Sequence, residues 1–154
     1  MSPIELLMLK ELQRRASAAT RDDSRDIVLA DGYDPSRRVA VFDEWSTFQE
    51  LPVDGYRLDF AVIGGVIDSW RVAVECDGHE WHDRTKEQAE HDRRRDRYLQ
   101  REGWRVMRFT GREIVRDVSE CAAEMLGLCA SIQERDRKQW NYQFQLMADA
   151  KATR

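Results

Sequence analysis

Two carboxylates stand where an apolar strand should reject charge, and a third acid follows the second. Asp59 lies in Tyr56-Arg57-Leu58-Asp59-Phe60, and Glu75 lies in Val72-Ala73-Val74-Glu75-Cys76. The second segment runs on through Asp77 and Gly78 to His79, Trp81 and His82. A carboxylate in apolar surroundings costs free energy unless something positive is bound to it, and a divalent cation is a common partner. Side chains alternate along a strand, so Asp59 shares a face with Arg57, Ala61 and Ile63, and Glu75 shares one with Ala73 and Asp77. A turn centred near Ile67 pairs Phe60 with Val74 and Asp59 with Glu75, leaving the two acids about 5 Å apart at Cβ. Carboxylates that close repel unless a cation or proton lies between them. The small neighbours Ala61 and Ala73 leave room on that face. The chemistry this suits is metal-assisted hydrolysis of a phosphodiester.

Other segments add to the pattern. Ser2-Pro3-Ile4-Glu5-Leu6-Leu7 places an acid at the start of a helix. Residues 91–99, His91-Asp92-Arg93-Arg94-Arg95-Asp96-Arg97-Tyr98-Leu99, form a charged helical run, and Gly103-Trp104-Arg105-Val106-Met107-Arg108-Phe109 reads as a turn and a strand. In order and spacing these pieces resemble the PD-(D/E)XK nuclease superfamily, and within it the very-short-patch-repair-like endonucleases and related small restriction-type domains. The resemblance covers most of residues 1–126. It implies an α/β fold with an αβββαβ restriction-endonuclease-like core, a central mixed sheet flanked by helices. It also implies Asp59 and Glu75 as ligands of Mg²⁺ or Mn²⁺, with Glu5 as a further ligand, and DNA as the substrate. The superfamily usually has a lysine two residues after the second acid; Asp77 stands there instead. The mismatch-repair members also hold a structural zinc, for which this chain has too few cysteines.

The remaining candidates are read from the residues. Asp77 either joins the metal shell or serves the Asp-Gly turn. His79 and His82 titrate near neutrality and could orient or protonate a phosphate oxygen, or could cap the following helix. Lys86 is the one lysine soon after the acids. Arg93 and Arg97, with Arg84 and Lys86 near the helix start, form a phosphate-binding track, and Trp81 could stack on a base or pack in the core. Glu5 is equally an ordinary acid favoured by a helix dipole, and the alternative for Asp59 and Glu75 is a structural ion pair with Arg57, Arg71 or Arg108.

Composition bounds these readings. A chain of 154 residues with 42% hydrophobic and 35% charged residues fits one domain. The net charge of −4 by itself disfavours a polyanionic partner, but the charge is uneven. Arg84 to Arg116 carries eleven basic and six acidic residues, whereas residues 1–83 carry nine basic and seventeen acidic. A basic band directly after an acidic centre suits nucleic acid, although such runs are commonly solvated helix faces. Three cysteines without CxxC spacing argue against a disulfide framework and for the cytoplasm. No membrane span or signal pattern is present.

Periodicity predicts helices over Ile4–Arg15, Asp83–Glu102 and Arg112–Leu126, the last closed by Gly127. It predicts strands at Val39–Phe42, Tyr56–Ile63, Arg71–Asp77 and Trp104–Phe109, a short one at Ile27–Leu29, and an irregular stretch from Asp43 to Gly55. The Trp104 strand should lie parallel to the Arg71 strand across a helical crossover. Residues 127–154 are expected to be a helical extension packed on the same domain. Its stripe of Trp140, Phe144 and Met147 should dock on the domain's own core, with a homodimer or a partner protein as the alternative. Two other functions fit less well. One is a catalytically inactive nuclease fold that only binds nucleic acid or a protein. The other is a zinc module built from Cys76, His79, His82 and His91.

Overall fold

A computed structural model describes residues 1–19, 34–42, 45–65, 69–78 and 85–152. The predicted strand at 27–29, and with it Trp81, His79, His82 and Arg84, lies outside the described residues.

Five strands form one mixed sheet in the order β1-β2-β3-β4-β5. They are β1 (Arg38–Phe42), β2 (Trp45–Val53), β3 (Tyr56–Gly64), β4 (Trp70–Asp77) and β5 (Trp104–Thr110). The first four form an antiparallel meander, and β5 joins β4 in parallel. Helix α1 (Pro3–Ala19) precedes the sheet, α2 (Lys86–Arg101) crosses from β4 to β5, and α3 (Gly111–Ala152) follows. This is an α/β fold consistent with a restriction-endonuclease-like core, with helices on both faces of the sheet.

Each face is built by strand alternation. Phe60, Val62, Val72, Val74 and Cys76 meet Met8 and Leu12 of α1 and Ile114, Ala122 and Met125 of α3 in the larger core. Ala61, Ile63 and Ala73 meet Leu99 of α2 and Trp104 in a second one. Ala61 lies opposite Ala73 as expected, but the space they leave is filled by the α2 side of the sheet.

The hairpin register agrees with the predicted turn centre: Phe60 is opposite Val74. Parallel pairing of β4 and β5 is also as expected, with Glu75 opposite Arg108. The stretch expected to be irregular, however, contains β2, which pairs with both β1 and β3. Its Ser46, Thr47 and Phe48 are all buried, so no in-out alternation marks it. Pro52 lies past the last residue that β1 pairs, where the strand has a single neighbour and a missing N–H is tolerated. Asp54 and Gly55 both have positive φ, the two-residue turn that matches strand twist.

Gly127 does not end a helix. Helix α3 continues through it to Ala152 and is interrupted instead at Asp117, whose backbone is non-helical. The Asp117 carboxylate accepts the Glu120 N–H at 2.9 Å and so caps the segment that follows. Among the described residues the extension packs on the domain in its first part, through Cys129 and Ile132. Docking of the aromatic stripe on the core is not observed: Trp140, Phe144 and Met147 are 51, 66 and 63% exposed.

Candidate active site

The acids gather where β3 and β4 part. Backbone pairing of the two strands is regular to Phe60 and Val74, and one residue further Asp59 turns its carboxylate across the gap. Its Oδ2 accepts the Cys76 N–H at 2.8 Å. Glu75, 3% exposed, lies on the same side of the sheet. Burial raises the pKa of both acids. For Asp59 the negative charge of Glu5 adds to burial, against the Cys76 N–H and the charges of Arg95 and Arg57. Glu75 is pushed up to about 7 by burial, with Asp59 adding to the rise and Arg95 opposing it. Two carboxylates held in this condition are short of positive charge.

The cation that reaches them is Arg95, from the middle of α2. Its Nη2 donates to Glu75 Oε1 at 2.5 Å and to the Arg57 carbonyl at 2.8 Å. Its Nε is buried without an acceptor among the described residues. A second arginine, Arg108 on β5, bridges Asp77 at 3.3 Å and Asp96 of α2 at 2.5 Å. Burial works against the Arg108 charge, but Asp96, Asp77 and Glu75 outweigh it and raise its pKa.

Sequence reasoning misses Arg95 and offers Arg108, with Arg57 and Arg71, only as an ion-pair partner that would stand in place of a metal at Asp59 and Glu75. For Arg95 a signal existed: Asp92, Arg95, Asp96 and Leu99 fall at i, i+3, i+4 and i+7, and Leu99 is the buried residue of α2. Arg95 therefore faces the sheet. Arg93 and Arg97, chosen from the same run, are exposed on its outer side. Lys86 is exposed in the first turn of α2. Among the described residues the cations named at Asp59 and Glu75 are Arg57, Arg95 and Arg108, not Lys86.

Glu5 reaches the cluster from α1. Its carboxylate accepts the Ser2 N–H at 3.0 Å and the Ser2 hydroxyl at 2.8 Å, a capping box in which Ser2 Oγ in turn accepts the Glu5 N–H. Helix-start chemistry therefore accounts for its position, while its charge is still felt by Asp59 and Cys76. Cys76 points into the opposite core, and burial, then the surrounding acids, push its thiol pKa up. His91 is exposed and meets the edge of Tyr56 at 6.0 Å between ring centroids.

A hard divalent ion accepts oxygen donors, and Mg²⁺ commonly takes one or two protein carboxylates and fills its remaining positions with water and phosphate. Asp59 and Glu75 fit that demand in chemistry and in charge. Among the described residues no set of three His, Cys, Asp or Glu side chains is placed to hold an ion.

Residues 39–128 match the model of the family REase_MTES_1575, a restriction-endonuclease-like family. The chain belongs to this family. The match spans β1 to the first part of α3 and so includes Asp59, Glu75, Arg95 and Arg108. No curated protein and no solved structure matches the chain. Membership in a restriction-endonuclease-like family agrees with the mixed sheet and points to a nuclease.

Proposed function

We propose that the chain is a Mg²⁺- or Mn²⁺-dependent endonuclease that hydrolyses phosphodiester bonds in DNA, of the PD-(D/E)XK type and akin to the very-short-patch-repair-like enzymes. The observation that carries this reading is the placement of the part-buried Asp59 beside the buried Glu75, where β3 and β4 part at one end of the sheet of a restriction-endonuclease-like domain. Asp59 and Glu75 would hold the ion, with Glu5 beside them. Bound there, a divalent ion supplies Lewis-acid polarisation of a phosphate oxygen and makes water more acidic.

The chain's own residues do the rest. The Cys76 N–H fixes the orientation of Asp59, and the Arg95 guanidinium fixes that of Glu75. Asp77 stands in the usual lysine position but is tied to Arg108, which makes it a brace between β4, β5 and α2. Arg93, Arg97 and Lys86 face solvent, where they can bind the phosphate backbone, and Arg84 and Trp81 are the further candidates for that contact. His79 and His82 supply groups able to move a proton near neutral pH.

The test is relaxation of supercoiled plasmid with Mg²⁺ or Mn²⁺ by the wild-type chain, Asp59→Ala and Glu75→Ala. Wild type should nick in a metal-dependent way and both variants should fall to background while remaining folded. Variants that cut like wild type would show that the site is elsewhere.

A second reading has its own support. Glu75, Asp77 and Glu5 each already have a protein partner, namely Arg95, Arg108 and Ser2. A catalytically inactive module that binds nucleic acid would keep such pairs. It predicts DNA binding without cleavage in either metal, in wild type and variants alike.

A further inference from the structure

We propose that the C-terminal half of α3 is a homodimer interface, formed by antiparallel pairing with the same segment of a second copy of this chain. Along α3, Ala122, Met125, Cys129 and Ile132 are buried against the domain at alternating spacings of three and four residues. The last ties to the domain are the Trp70 indole N–H, donated to Gln133 Oε1 at 2.7 Å, and the Asp136 carboxylate close over Gly65. From Arg137 to Lys151 every residue is exposed. The seam nevertheless continues. At 100° per residue, Asp136, Trp140, Phe144, Met147 and Lys151 extend the stripe that packs on the core.

The pattern of that stripe selects the occupant. It reads acid, Trp, Phe, Met, base. The run from Trp140 to Ala148 contains no charge, so nothing in it repels a copy of itself. In a two-fold antiparallel pair centred between Gln143 and Phe144, Asp136 faces Lys151 of the other copy at both ends. Trp140 faces Met147, and Phe144 meets Gln143 beside the axis. An isologous interface requires this kind of self-complementarity. Parallel pairing would instead set Asp136 against Asp136 and Lys151 against Lys151. The antiparallel overlap spans about 24 Å, which puts the two domains at opposite ends of the helix pair. A contact of two such stripes is smaller than the 1,200–2,000 Å² typical of stable complexes, so association should be roughly micromolar. A helix already anchored on its domain loses little further entropy on pairing.

Sedimentation equilibrium of the full chain across the micromolar range tests this. The mass should rise from 18.1 kDa toward twice that value. Trp140→Glu with Phe144→Glu should hold it at the monomer mass, with unchanged circular dichroism because both side chains are exposed in the single chain. Tyr142→Ser, on the far side of the helix, should leave the dimer intact. Lys151→Asp should weaken dimerisation roughly tenfold, and Asp136→Lys in the same chain should restore it. A wild-type chain that stays monomeric overturns the proposal. So does a dimer that survives the Trp140/Phe144 substitutions, or one whose charge swap brings no rescue.

Discussion

Arg95 shows how one side chain can govern a buried acid. Its pair with Glu75 has both partners almost out of solvent, so removing Arg95 takes away the charge that holds Glu75 ionised and leaves its carboxyl to take up a proton. Arg95→Met should therefore lower stability by about 1–3 kcal/mol in chemical denaturation without metal. Adding Glu75→Gln should return part of that loss, leaving a coupling of about 1–3 kcal/mol in the double-mutant cycle. Additive losses would mean that the two side chains do not act as a pair. Glu11 offers a second case, far from the site. It accepts from both Arg14 and Arg15, and Arg15 also donates to the Ser119 carbonyl on α3. The Arg14 hydrogen bond, opposed by burial and supported by Arg15, lowers the Glu11 pKa from 4.5 to about 2. The folded pKa is depressed, so the stabilisation is complete above the unfolded value near 4.5 and is lost as pH falls toward 2. Glu11→Gln should thus lower Tm by roughly 2–8 °C near neutrality, and the difference should vanish in acid. A Tm difference that is the same at pH 7 and pH 2.5 would assign the effect to packing.

At the scale of elements, Gly127 is an exposed residue inside a continuous helix, and a Cβ added there meets nothing within 4 Å. Gly127→Ala should raise stability by about 0.5–1 kcal/mol by denaturant titration. A loss would place a real helix end at that residue. Gly127 also shows where sequence and structure part. A glycine after an amphipathic run reads as a stop, but Met125, Cys129 and Ile132 bury on both sides of it, and that packing outweighs a local propensity. The acids of the hairpin were legible because the turn centre alone fixes strand register, and Phe60 opposite Val74 follows from it. Strand β2 was harder because it is buried on both faces; the Asp54-Gly55 turn was its one clear mark. Arg95 was hidden among four arginines in five residues, and only the phase of Leu99 separates it from the solvent-facing three.

For the whole molecule, the uneven charge makes a quantitative claim. Arg93 and Arg97 are exposed, whereas Arg95 and Arg108 are committed to carboxylates. If the outer arginines bind phosphate, Arg93→Ala with Arg97→Ala should reduce the slope of log K against log salt by about 2, as each contact releases roughly one counterion. Duplex binding measured by anisotropy at several salt concentrations gives that slope, and an unchanged value would move the DNA path off α2.

The order of strands carries a consequence for how the molecule assembles. Strands β1 to β4 are joined in succession as neighbours, so their contacts close short loops, whereas β5 can pair with β4 only after α2 has crossed over. Loop closure favours the meander first. Asp59 and Glu75 would then be brought together before Arg95 and Arg108 arrive to neutralise them. The repulsion of the two acids would act as a brake on the nascent hairpin, released when the crossover docks. Glu75→Gln should accordingly speed refolding, while changes confined to the α2–β5 contact should act chiefly on the unfolding rate.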